Sequence, residues 1–100
     1  MMTVIALAAA GLIVGDAPDM RVSTQGLDLA QPGHAVELAE RIRAESRVWC
    51  ARHAAVLTPD HLGDASLCET EMRRRARTAL PRQAWRPFAR AGGLRALNRP

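Results

Sequence analysis

The sequence predicts a mainly α protein: a disulfide-stapled pair of amphipathic helices, preceded by a short extended or β segment and followed by a poorly ordered basic tail. Three observations predict it. Two stretches, 32–51 and 64–80, place apolar residues at helical spacing. Each carries one of the chain's 2 cysteines on its apolar face. Beyond residue 81, Pro and Gly recur while arginine accumulates, which breaks regular structure.

A chain of 100 residues supports one domain. The hydrophobic share of 48% leans on alanine, with no Tyr, 1 Phe and 2 Trp, so large side chains for packing are scarce. A core drawn from roughly 80 residues is marginal without a disulfide, a metal or a partner.

Residues 4–15 (VIALAAAGLIVG) form an apolar run too short to span a bilayer as a helix. Its length suits the core of a secretory signal, and residues 1–17 are the candidate signal peptide. No Lys or Arg precedes the run, and the small pair Gly15 and Ala17 leads directly into Pro18, so no cleavage point stands out. The competing reading is a buried strand or helix of the domain.

Met20 to Ser23 suits a short strand, after which Gly26 allows a turn ahead of Leu27-Asp28-Leu29. Pro32 fits a first helical position, where its missing N–H would have been unpaired anyway. From there to Ala51, the residues Ala35, Leu38, Ala39, Ile42, Ser46, Trp49 and Cys50 fall on one stripe. Glu37 with Arg41, and Arg41 with Glu45, are spaced as surface ion pairs. Thr58-Pro59-Asp60 marks a turn or a helix start, and a second helix should begin near Asp64 or Ser66. Ser66 and Glu69 have the spacing of a capping box. Ala65, Cys68, Met72, Ala76, Ala79 and Leu80 share its apolar face, and Pro81 stops it. In the tail, 82–100, short turns around Gln83 to Trp85 and Leu94 to Leu97 are the only regular structure expected.

The formal net charge of +4 conceals an asymmetry: residues 1–70 hold five Arg against nine acids, and residues 71–100 hold nine Arg against Glu71 alone. A basic end attracts anionic partners without specifying them, and the absence of Lys favours compositional bias as its cause. The candidate anion-binding residues are Arg73, Arg74, Arg77, Arg82, Arg86 and Arg90. Glu69 four before Arg73, and Glu71 four before Arg75, would leave Arg74 and Arg77 as the freer charges. The competing reading of this run is a solvated helix face. Trp85 and Phe88 interleaved with arginines suit an anionic membrane surface or single-stranded nucleic acid, against a biased flexible extension.

Two cysteines in a small exported chain are most simply a disulfide, Cys50 with Cys68. The rival is a tetrahedral metal site using Cys50, His53, His61 and Cys68, although this spacing lacks the compact pairs typical of zinc sites. His34, near the start of the first helix, reads as an exposed surface residue. A Cys50–His53 nucleophile is disfavoured, because the C-terminal end of a helix opposes a thiolate. No other nucleophile, acid/base pair or cofactor motif is evident, so no catalytic residue and no cofactor are expected.

Val22-Ser23, Leu27-Asp28-Leu29, Pro32-Gly33, Leu38, Arg41-Ile42-Arg43, and Val48 shortly before Cys50 follow one another in order, with Cys68 in a second helix. In that ordered combination residues 22–50 resemble the UrcA family of small exported bacterial proteins. The likeness extends over about residues 22–79, and the family-like domain is taken as 20–81. The chain departs from the family's pattern at Thr24-Gln25, at Gln31 in place of a Ser or Thr cap, and in its Arg-rich end. The resemblance implies a secreted or periplasmic protein with no assigned activity, cofactor or catalytic residue, and supports the Cys50–Cys68 pairing. The expected function is therefore a structural or interaction role in the cell envelope. Its partner is unknown, an envelope protein or an anionic surface being the expected kind, and no small-molecule substrate is implied. The alternatives are a Cys/His metal-binding protein and an anionic-surface binder acting through the basic segment.

Overall fold

A computed structural model describes residues 4–7, 19–57 and 63–99, the first of these by backbone alone. Among the described residues, two short strands, β1 (Val4–Leu7) and β2 (Met20–Ser23), precede four helices: α1 (Pro32–Leu57), α2 (Ala65–Ala79), α3 (Arg82–Arg90) and α4 (Gly93–Leu97). The strands pair antiparallel, with Leu7 opposite Met20 and Val4 opposite Ser23. Part of the apolar N-terminal run is thus a strand here; the Gly15 and Ala17 junction lies outside the described residues. No described helix is long and apolar enough to cross a membrane.

Alternation in β2 buries Met20 and Val22 and exposes Arg21 and Ser23, the period expected of a strand with one covered face. That face meets α1, whose buried stripe is the expected one, Ala35, Leu38, Ala39, Ile42, Ser46, Trp49 and Cys50, lengthened by Ala54. Ser46 is tolerated inside because its hydroxyl donates to Ile42 O at 2.7 Å. The helix continues past Ala51, but His53 leaves helical geometry (φ −128°, ψ 17°) and bends it. Asp28 prepares its entry. The Asp28 carboxylate accepts from Ala30 N at 3.0 Å, while Asp28 N donates to His34 Nδ1 at 2.8 Å. His34 is half-buried and fastens the entry loop, where the sequence suggests an exposed side chain.

Asp64 caps α2, its carboxylate accepting from Leu67 N at 3.1 Å; Ser66 instead lies within the first turn. Cys68, Met72, Ala76 and Leu80 face the core, while Ala65 and Ala79 at the ends of the stripe are exposed. The helix ends before Pro81 as expected.

Beyond Pro81 the structure differs from the poorly ordered tail that composition suggests, because α3 and α4 extend past the short turns and pack on α1. Phe88, Ala96 and Leu97 are each 2% exposed or less. Pro87 lies inside α3 without an N–H to donate to the carbonyl four residues back, that of Gln83, an exposed residue. Gly92 (φ 90°) turns the chain into α4. Gly93 lies directly over the Phe88 ring: a Cβ there would lie 2.6 Å from Cζ and closer still to Cε1 and Cδ1. Gly93→Ala is therefore expected to destabilise by about 1–3 kcal/mol through overpacking, read as a lower denaturation midpoint at unchanged secondary structure.

The paired arginines of Arg41-Ile42-Arg43 tie these parts together around buried Ile42. Arg41 bonds Glu37 at 3.1 Å and reaches back to Ser23 O at 3.0 Å and Gln25 O at 3.3 Å, holding the exit of β2. Arg43 points the other way and donates to the carbonyls of Leu97, at 3.3 Å, and Arg99, holding the end of α4.

Candidate functional site: the disulfide and an arginine-lined cleft

Cys50 on α1 and Cys68 on α2 form a disulfide with Cα atoms 5.8 Å apart, within the usual range for such bonds. Both residues are almost fully buried at the junction of their helices. They sit there because each occupies the apolar stripe of its own helix, so packing the two stripes together brings the sulfurs into register.

Pairing of the sulfurs takes both thiolates from the four-ligand site suggested by the sequence. His53 instead lies beside Trp49, with ring centroids 5.0 Å apart, and His61 lies outside the described residues. Among the described residues, no group of three or more His, Cys, Asp or Glu is placed to hold a metal ion.

The arginine candidates divide into two sets. Arg82, Arg86 and Arg90 are exposed along α3. Arg73, Arg74 and Arg77 project from α2 into a cleft of about 290 Å³, together with Thr70 of α2 and with Leu97 and Asn98 at the end of α4. The cleft exists because α4 folds back over α1 beside α2. Nothing in the periodicity of the sequence places Asn98 next to Arg73.

The ion pairs also differ from the i,i+4 expectation. Glu71 takes Arg75 at 2.7 Å as expected, and also takes Arg74, at 2.6 Å to one guanidinium nitrogen and 3.0 Å to another. Arg74 is therefore engaged. Arg73 forms no ion pair among the described residues and donates to the Thr70 hydroxyl at 3.4 Å, while Thr70 in turn donates to Ser66 O at 3.1 Å. Arg77 has no ion pair among the described residues either.

Glu71 is the carboxylate most perturbed. The hydrogen bond from Arg74 lowers its pKa from 4.5 to about 2, against partial burial, which raises it, and with further lowering by Arg75. Its partner responds in kind, with the Arg74 pKa raised by the same hydrogen bond. A folded-state pKa below the unfolded value stabilises the fold above pH 4.5, and that contribution disappears as the pH falls toward 2. Acid denaturation should therefore steepen across that window, and Glu71→Gln should flatten it while lowering stability near neutrality by the same modest amount, because the pairs are partly exposed and screened by solvent. Equal acid profiles for the two proteins would contradict this role.

A second cleft, about 250 Å³, lies between β2 and α1 and is lined by Trp49 and His53 with both acids and arginines. Its mixed charge singles out no ligand. In comparisons with known proteins, the chain matches no family model, no curated protein and no solved structure.

Proposed function

We propose that this chain is a non-enzymatic, exported protein of UrcA type, working in the periplasm or outside the cell as a structural or interaction module of the envelope. The observation that carries the reading is the buried Cys50–Cys68 bond, since disulfides persist in oxidising compartments and are rare in the cytosol. Small domains with thin cores depend on such links, and Ala35, Ala39, Ala54, Ala76 and Ala96 take up five of the sixteen buried apolar positions among the described residues. The apolar run at residues 4–15 supplies a route for export in this reading. Removal of residues 1–17 would take β1 away from β2, while Met20 and Val22 would keep their packing against α1.

Fractionation of cells expressing the full chain without a tag tests the reading. Recovery from the periplasm or medium, with a mass showing loss of the leader, is the expected result. Retention of the uncut chain in the cytosol would overturn it.

A further inference from the structure

We propose that the cleft between α2 and the end of α4 is a binding site for a phosphate group, held by Arg73 and Arg77 with the Asn98 amide as a third donor. This goes beyond the envelope role and does not depend on it.

The two guanidiniums are four residues apart, so they rise from the same face of α2 one turn above the other. Both are half-buried, which lowers the screening their charge receives from water. Thr70 fixes Arg73: its hydroxyl is anchored on Ser66 O and accepts from the Arg73 guanidinium, leaving the other donors of that group free to turn outward. Among the described residues, no carboxylate side chain lines the cleft. Glu71, the acid nearest in sequence, is spoken for by Arg74 and Arg75. Two arginines without an ion-pair partner among the described residues, facing one cavity, suit a compact doubly charged oxyanion, because guanidinium forks match phosphate oxygens geometrically.

Size and lining narrow the ligand. A volume of about 290 Å³ sits at the small end of ligand sites, which run roughly from 300 to 1,000 Å³. The lining includes no aromatic side chain on which a base could stack, so a single nucleic-acid strand is a poor fit. Leu97 provides an apolar wall beside the arginines, as the carbon portion of a phosphate monoester would need. That chemistry is shared by a free phosphate monoester and by a phosphatidic acid headgroup.

The test uses the full, oxidised chain with two probes: inorganic phosphate by calorimetry, and phosphatidylcholine vesicles containing phosphatidic acid by co-sedimentation. The variants are R73Q/R77Q and, as a charge-matched control on α3, R82Q/R86Q, with circular dichroism confirming their fold. Binding of either probe, weakened roughly tenfold or more in R73Q/R77Q and held within about twofold in R82Q/R86Q, is the expected result. Vesicle binding without phosphate binding, under the same variant pattern, identifies the headgroup as the source. Absence of binding to both probes overturns the proposal. So does equal loss in the two variants, which would show that only net charge matters.

Discussion

Phe88→Ala is expected to destabilise the whole protein by about 3–5 kcal/mol, the range for removing a fully buried aromatic ring. Phe88 is the sole phenylalanine of the chain and is 1% exposed. Its ring lies where Gly93 has no side chain, so the α3–α4 turn closes on it directly. Loss of the ring leaves a cavity that Gly93 cannot fill, and the nearby helices relax only in part. The consequence should reach beyond α3, because α4 is held on α1 by buried Ala96 and Leu97 and by the bonds from Arg43 to the carbonyls of Leu97 and Arg99. Trp85, on the same helix but 38% exposed, provides the comparison: Trp85→Ala should change stability far less. Denaturant unfolding followed by far-ultraviolet circular dichroism measures both. A Phe88→Ala midpoint equal to that of the unmodified chain would mean that residues 82–99 are no part of the cooperative fold.

The second large effect belongs to the disulfide. Cys50→Ser with Cys68→Ser should cost about 3 kcal/mol, as the chain-entropy estimate gives for a bond closing a separation of 18 residues. The link matters here because α2 buries few side chains within its own length, Cys68, Met72 and Ala76, with Met72 the largest of them. Reduction of the unmodified protein should lower its midpoint by a similar amount, and reductant should leave the double variant unaffected. Equal midpoints for the oxidised protein and the double variant would show that the helices hold each other unaided.

These two residue sets also mark what could and could not be read from the sequence. The helical pair and its covalent link were legible because both signals are local. A 3.6-residue period fixes which face of each helix is apolar, and Cys50 and Cys68 lie on those faces. The end of α2 was legible from Pro81, whereas the sequence leaves its start between Asp64 and Ser66, and the cap is Asp64 rather than the Ser66–Glu69 box that the spacing suggests. The tail was not legible. Pro87, the Gly92-Gly93 pair and a surplus of arginine all argue locally against order, and they are outweighed by tertiary burial of Phe88, Ala96 and Leu97. Its order therefore depends on α1, residues 25 to 67 positions away in the chain. The same holds for the site. Arg73 and Arg77 were visible as part of a basic run, but which arginine Glu71 selects depends on rotamers, and it selects Arg74 alongside Arg75. The role of His34 as an acceptor for Asp28 N was equally out of reach, since the loop between them has no periodicity to read.

The arginines of Arg41-Ile42-Arg43 illustrate a related point. Spacing alone assigns Arg41 to ion pairs with Glu37 and Glu45. In the structure its guanidinium bonds Glu37 and also the carbonyls of Ser23 and Gln25, so one side chain serves the helix surface and the strand exit together. Basic residues in the acidic part of the chain thus hold its segments together, whereas those of α2 and α3 supply the positive surface.

The most direct test of the account is the oxidation state of the native protein. The chain is unfolded in denaturant without reductant, exposed to iodoacetamide and weighed intact. The account predicts no alkylation and a mass short by the two hydrogens lost in forming Cys50–Cys68. Alkylation at both cysteines would contradict it, and would remove the main support for an oxidising compartment.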